Sequence, residues 1–186
     1  AFHFCASLVN ISIPNSVTAI GSGAFISTGL KNFTIPNNIT IIESSTFSNC
    51  TALTKVDIPN TVKVIGSWAF QGCSSLTSIT IPDGVTEIRK LVFGDCISLK
   101  RVDCLPTTPP SMYYDANEYT QFSNVSADCK IYVPDGTYDA YVTADGWAQY
   151  KDMIVNPNPT PAVQNQIFYT STDGAIVTPY NTSAFL

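Results

Sequence analysis

The sequence contains little charge and a single histidine. Charged side chains make up 12% of its 186 residues, and 9 basic against 14 acidic residues leave a formal net charge of −5. Proteins that bind nucleic acid or an anionic membrane carry an excess of basic residues, so the composition excludes both kinds of partner. His3 alone cannot build a zinc site from paired histidines, and any Ser–His or Cys–His catalysis would depend on it. We therefore predict no metal, no cofactor and no catalytic residue.

Long hydrophobic runs are also missing from the sequence. No apolar stretch approaches the roughly 20 residues that a membrane-spanning helix needs, so no transmembrane segment is predicted. The chain begins at Ala1 without a basic-then-apolar leader. This start predicts either that a signal was removed or that the chain is a fragment of a longer protein. Ser, Thr and Asn take the place of charge, which suits an extracellular, β-rich protein.

An Ile-Pro dipeptide recurs at steps of 22, 23 and 23 residues. It occurs at Ile13-Pro14, Ile35-Pro36, Ile58-Pro59 and Ile81-Pro82. Other apolar residues keep the same spacing. They include the phenylalanines Phe25, Phe47, Phe70 and Phe93, the cysteines Cys5, Cys50, Cys73 and Cys96, and the leucines Leu8, Leu30, Leu53, Leu76 and Leu99. Such a period predicts a solenoid, in which each turn stacks its apolar side chains on those of the previous turn.

Each repeat contains a short alternating segment that ends in proline. The residues from Leu76 to Ile81 alternate with a period of two at their end, which predicts a strand. Pro82 ends this strand because proline lacks the N–H that a ladder requires. Equivalent strands run in the same direction in successive turns, so the sheet is predicted to be parallel. Residues 85–88 predict a second short strand on the opposite wall, and the segments around Phe70 and Phe93 allow at most a helical turn or two.

The repeat unit Leu-x-x-Ile-x-Ile-Pro-x-x-Val-x-x-Ile-x-x-x-x-Phe-x-x-Cys-x-x resembles the BspA-like leucine-rich repeat of bacterial cell-surface proteins. Residues 1–104 carry it as full repeats; a deletion near Thr28 removes one cysteine, and Cys104-Leu105-Pro106 replaces the last Ile-Pro. The resemblance implies an α/β, β-rich leucine-rich repeat solenoid, a right-handed superhelix with short parallel strands and a C-terminal helical cap. It also implies a non-enzymatic protein, extracellular or on the cell surface, that mediates adhesion or recognises a protein or glycan ligand.

The second half of the chain departs from the period. Residues 105–155 are predicted to form an enlarged last repeat and a helical cap, whose helix starts at Thr137 as N-cap and buries Tyr138, Tyr141 and Val142. Gly146 is predicted to end the helix, and a second helical turn then carries the apolar spacing as far as Ile154. Residues 156–163 predict a Pro-rich linker and residues 164–186 a β-hairpin that begins a further module.

Four of the six cysteines share one repeated position. Neighbouring turns of a parallel sheet lie about 4.8 Å apart, which would permit a disulfide. The thiols are expected to point side by side into the core, however, and this arrangement favours a ladder of buried free thiols. Cys104 and Cys129 lie on neighbouring predicted strands at an offset of about four residues. That offset is about 13 Å, which is beyond bridging distance.

The outward positions of the repeated strand form a surface that we call the strand face. One of its predicted rows contains Asn10, Asn32, Lys55, Ser78 and Arg101, and the other contains Ser12, Thr34, Asp57, Thr80 and Asp103. The open face of a solenoid commonly binds partners. We predict a ligand-binding surface at Asn32, Lys55, Asp57, Ser78, Thr80, Arg101 and Asp103. Ordinary solvated strand residues are the alternative interpretation.

The sequence allows two other functions. The aromatic residues Tyr113, Tyr114 and Tyr119 lie in the insertion after the last full repeat and could form a platform for sugars, as in a carbohydrate-targeting accessory module of a larger protein. Alternatively, the solenoid is a structural spacer or stalk whose strand face binds nothing. The ligand, the anchoring mode and the oligomeric state cannot be predicted from the sequence.

Overall fold

The computed structural model describes residues 1–113 and 120–156, which form a solenoid of short strands and turns. The strands in these residues are β1 (Asn32–Thr34), β2 (Ile41–Ile42), β3 (Lys55–Asp57), β4 (Val64–Ile65), β5 (Ser78–Ile81), β6 (Glu87–Ile88), β7 (Arg101–Cys104), β8 (Ser111–Met112), β9 (Lys130–Tyr132) and β10 (Ile154–Val155). A short helix, α1 (Tyr138–Thr143), and a 3-10 turn, Ala148–Tyr150, lie near the end of the described chain. The predicted linker and hairpin fall almost wholly outside these residues.

Parallel strands form two walls of the solenoid. On the first wall β1 pairs with β3, and β5, β7, β9 and β10 form a second run in that order. On the second wall β2, β4, β6 and β8 form one sheet. The registers keep the repeat, since Phe33 lies opposite Val56 and Ile65 lies opposite Ile88. The predicted parallel strand and its partner on the opposite wall are therefore both confirmed.

The third wall contains the repeated phenylalanines and consists of turns. The N–H of Phe47 donates to the carbonyl of Ala69 one turn further on (2.8 Å), and the N–H of Phe70 donates to that of Val92 (3.0 Å). The residue two positions before each of these repeated phenylalanines has a left-handed backbone conformation, as at Trp68 with φ of 58°. The sequence allowed at most a helical turn or two here. The segments form turns and no helix, because alternate N–H groups bond to the next turn and not to the residue four positions back.

Six phenylalanine rings stack through the core at successive centroid distances of 5.6, 5.6, 5.4, 5.8 and 5.3 Å. The stack contains Phe2, Phe25, Phe47, Phe70, Phe93 and Phe122. Tyr150 closes it edge-on against the last ring at 5.1 Å. The repeated leucines from Leu30 to Leu99 are fully buried beside it. One continuous apolar column therefore joins all the turns, as the period predicted.

The cap buries its aromatic residues and satisfies their polar atoms. Tyr141 and Trp147 pack edge to face at 4.8 Å, and their side chains donate hydrogen bonds to the carbonyls of Pro106 and Pro110 (both 2.7 Å). Thr137 is the N-cap residue of α1, as predicted, although its hydroxyl donates to the carbonyl of Pro134 (2.7 Å) and not to a helical N–H. The predicted second helical turn is wrong at its end. Ile154 lies in β10, paired with Ile131, because the chain returns to the first wall and completes a further turn.

Three cysteines form the predicted ladder of buried thiols. The thiols of Cys50, Cys73 and Cys96 donate to the carbonyls of Phe25, Phe47 and Phe70, at 3.0, 3.2 and 3.1 Å. Cys5 was expected in the same ladder, but it is exposed because no described turn packs on its outer side. Thr28 takes the cysteine position in the repeat that lacks one; it is buried, and its hydroxyl lies 3.2 Å from the Cys50 sulfur.

Candidate binding face

The first wall brings the predicted binding residues together on its outer surface. Asn32 lies opposite Lys55, and Ser78 lies opposite Arg101 in the same row. The second row places Thr80 opposite Asp103. All of these side chains are exposed except that of Asp103, which is half-buried. Asn10 and Ser12, which the repeat placed in the same rows, precede β1 and lie in no strand.

Two charged pairs lie along the strands of this face. The Lys55 ammonium is 2.9 Å from a carboxylate oxygen of Asp57, and both side chains are more than half exposed. Arg101 donates to Asp103 through Nε (2.8 and 3.0 Å) and through a terminal nitrogen (2.6 Å). Hydrogen bonding to Asp103 raises the pKa of the Arg101 guanidinium above its ordinary value. Exposed pairs of this kind stabilise a fold by about 0–1 kcal/mol, so these two pairs add little to the stability of the solenoid.

The strand face extends one strand beyond the predicted residues. Lys130 lies opposite Arg101, and Tyr132 lies opposite Asp103. The Arg101 guanidinium carbon lies 3.9 Å from the centre of the Tyr132 ring, which is a cation–π arrangement. The two rows predicted from the sequence end at Arg101 and Asp103, so Lys130 and Tyr132 were not among the predicted binding residues.

A groove separates β3 from β5 in the middle of the strand face. The two strands are neighbours, with Cα atoms of facing residues within 8 Å, yet they form no ladder although both lie within the described chain. The groove has a volume of about 200 Å³ and is lined by Lys55, Val56, Asp57, Ile58, Ser78, Ile79 and Thr80. Four of the seven predicted binding residues therefore line one cavity. Pro59 is also half-buried here, whereas Pro36 and Pro82 are buried in the equivalent positions of their turns.

The alternative aromatic platform is only partly described by the structure. Tyr113 is 56% exposed, while Tyr114 and Tyr119 lie outside the described residues. The aromatic residues of the cap, Tyr141, Trp147 and Tyr150, are buried in the core. Packing therefore accounts for these cap residues, and Tyr113 is the member of the predicted platform whose surface is exposed.

The buried thiols lack the environment of a nucleophile. Burial raises the pKa of the Cys96 and Cys104 thiols to about 12 and that of Cys129 to about 11. A thiol becomes reactive when its pKa is lowered, so these side chains are held in their unreactive form. Among residues 1–113 and 120–156, no group of three His, Cys, Asp or Glu side chains converges as a metal site would require. No helix in the same part of the chain has the length and apolarity needed to span a bilayer.

Stacked parallel strands, a repeated leucine and phenylalanine core and an exposed strand face define a leucine-rich repeat solenoid. Comparison with family models agrees, since the BspA-type leucine-rich repeat region matches residues 1–124 in six copies. The chain belongs to this family. The match extends beyond residue 104, where we ended the full repeats, and takes in the turn that contains Phe122. No curated protein matches the chain.

Two solved bacterial structures share the fold. A leucine-rich repeat protein from Bacteroides ovatus is 22% identical with a TM-score of 0.51, and the match covers 71% of this chain and 45% of that one. A leucine rich cell surface protein from Faecalibacterium prausnitzii is 27% identical with a TM-score of 0.57, covering 69% of this chain and 33% of that one. The chain thus spans less than half the length of either protein.

Proposed function

We propose that this chain is a non-enzymatic recognition module that binds a protein ligand through its strand face, on a cell surface or outside the cell. The observation that carries the proposal is the pair of charged pairs, Lys55–Asp57 and Arg101–Asp103, on one exposed wall. The family and the similarity to a cell surface protein of Faecalibacterium prausnitzii support the location. Adhesion is the biological role that we infer for such a surface.

The arrangement of charge suits specific recognition. Basic side chains occupy one row, at Lys55, Arg101 and Lys130, and the two aspartates occupy the other. A partner that places acidic groups over the first row and basic groups over the second gains complementarity in one register and meets repulsion in the others. Arg101 and Tyr132 belong to the residue types that dominate binding energy at interfaces.

The test compares strand-face variants with a control of the same chemistry on the other wall. Lys55, Asp57, Arg101 and Asp103 are replaced by alanine, and each protein is applied to an array of purified extracellular proteins. The control replaces Glu87 and Arg89, which form the same kind of exposed pair (2.8 Å) on the second wall. We expect proteins bound by the wild type to be lost in the strand-face variant and kept in the control.

Two results would contradict the proposal. One is equal binding by the strand-face variant and the control, which would place recognition elsewhere on the chain. The other is a wild-type protein that binds nothing on the array, which would favour the structural spacer. The charge substitutions affect exposed pairs, so both variants are expected to fold, and circular dichroism provides the check.

A further inference from the structure

The groove between β3 and β5 interrupts a wall that is otherwise hydrogen-bonded from turn to turn. The second wall is continuous across the same two turns, since β4 pairs with β6. The third wall is continuous as well, because the N–H of Trp68 donates to the carbonyl of Lys90 (2.9 Å) and turns before and after are joined in the same way. The break is therefore local to the strand face and does not divide the solenoid.

The break exposes main-chain hydrogen-bonding groups to the groove. The carbonyls of Thr77 and Ile81 accept hydrogen bonds from the turn of β7, at 2.9 Å from the N–H groups of Lys100 and Leu105. Because peptide groups alternate in direction along a strand, those of Ser78 and Thr80 point the other way, towards β3. Among the described residues, no main-chain hydrogen bond joins them to β3. Ser78 and Thr80 are exposed, so water or a ligand can bond these peptide groups.

The side chains around these groups carry no net charge. On the β3 side of the groove, the charges of Lys55 and Asp57 neutralise each other. On the β5 side, Ser78 and Thr80 supply two hydroxyls. The side chains of Val56 and Ile79 point into the core, and the partly buried Ile58 is the apolar lining residue with exposed surface. The groove therefore offers donors and acceptors side by side next to one apolar side chain, and its neutrality disfavours an anion.

The size of the groove limits what enters it. Pockets for drug-sized ligands begin near about 300 Å³, so a cavity of about 200 Å³ admits one small unit of a larger ligand. A partner strand cannot insert, because the flanking strands would have to lie about 9.6 Å apart to pair with it on both sides. Facing Cα atoms of β3 and β5 are within 8 Å.

We propose that the groove between β3 and β5 binds one neutral sugar ring of a glycan. Sugar hydroxyls both donate and accept, so they match the unpaired peptide groups and the Ser78 and Thr80 hydroxyls. The apolar face of the ring rests against Ile58. The site is distinct from the aromatic insertion, and it does not depend on recognition of a protein by the charged pairs.

The experiment maps ¹H–¹⁵N chemical shifts while methyl glycosides of glucose, galactose, mannose and N-acetylglucosamine are added in turn, with sialic acid as the anionic comparison. We expect at least one neutral sugar to shift the amides of Ser78 and Thr80, and sialic acid to leave them unchanged. Thr80→Val and Ser78→Ala are each expected to weaken binding about two- to tenfold, the effect of losing one hydrogen bond. Thr40→Val removes an exposed threonine hydroxyl outside the groove and serves as the matched control.

Several outcomes overturn the proposal. They are no shift with any neutral sugar, binding that persists unchanged in both groove variants, and shifts centred on Tyr113. Loss of a protein ligand in the groove variants without any sugar binding would instead assign the groove to a side chain of that protein. Failure of the protein-recognition proposal is separate, since the protein array is read without sugar and its substitutions include Arg101 and Asp103, which do not line the groove.

Discussion

At the scale of single residues, the turns are joined by side chains that bond across the repeat. The thiols of Cys50, Cys73 and Cys96 each donate to a phenylalanine carbonyl in the previous turn. Thr28 occupies the equivalent position, but its hydroxyl donates to the Phe25 carbonyl of its own turn (3.0 Å) and meets the next turn at the Cys50 sulfur (3.2 Å). The repeated cysteine is therefore a buried hydrogen-bond donor of small volume, and threonine fills the same position with a different hydrogen bond.

The thiol positions give a prediction that chemical labelling checks. Cys5 is exposed and the other five cysteines are buried, so a maleimide reagent should modify one thiol in the native protein and six after denaturation. Mass spectrometry of the labelled peptides identifies the modified residue. Rapid native labelling of Cys50, Cys73 or Cys96 would show that the ladder is open to solvent, contrary to the structure.

The sequence predicted the ladder but not the conformation beside it. Left-handed residues occur two positions before each repeated phenylalanine, at Gly23, Ser45, Trp68 and Leu91. Such a conformation costs an ordinary residue roughly 1–2 kcal/mol, and glycine or asparagine normally marks it. Gly23 carries that signal, but serine, tryptophan and leucine do not, so stacking against the neighbouring turns decides the conformation in the later repeats.

At the scale of elements, the strands follow from the repeat almost completely. Their alternation, the prolines that end them and the fixed step predicted parallel walls in register, and these are observed except between β3 and β5. The last strand, β10, was not predicted because a helix separates it from its partner β9, 23 residues earlier, and the helical spacing of Trp147 and Tyr150 hid the strand. The groove had no signal in the pattern, since Val56 and Ile79 fit the repeat as well as their neighbours do.

Turn stacking requires close approach of main chains at Gly84. A Cβ atom there would lie 2.0 Å from the carbonyl oxygen of Asn60, whereas one at Gly21 would meet nothing within 4 Å. We expect Gly84→Ala to lower the free energy of unfolding by about 1–3 kcal/mol, the usual cost of overpacking. Gly21→Ala should change it by less than about 0.5 kcal/mol. Urea unfolding of both variants measures the difference, and equal midpoints would contradict the stacked arrangement of these turns.

At the scale of the whole molecule, one register sets both the buried and the exposed surfaces. The inward-pointing residues of each repeat form the apolar core, which contains the phenylalanine column. On the first wall, the residues that alternate with inward-pointing ones form the strand face. The column, the two charged rows and the position of the cap could be predicted from the period. The ion pairs within the rows and the aromatic contact of Tyr132 could not, because side-chain conformation on an exposed surface is not determined by spacing alone.

The stacked column is the claim on which both surfaces depend, and aromatic ring contacts test it most directly. With phenylalanine rings selectively labelled, nuclear Overhauser effects should join Phe47 to Phe70 and Phe70 to Phe93, whose centroids lie 5.4 and 5.8 Å apart. Phe4, which is 74% exposed, provides an internal control and should show no contact with these rings. If the rings of successive repeats give no mutual contacts, the turns do not share a core and the strand face is not assembled as described.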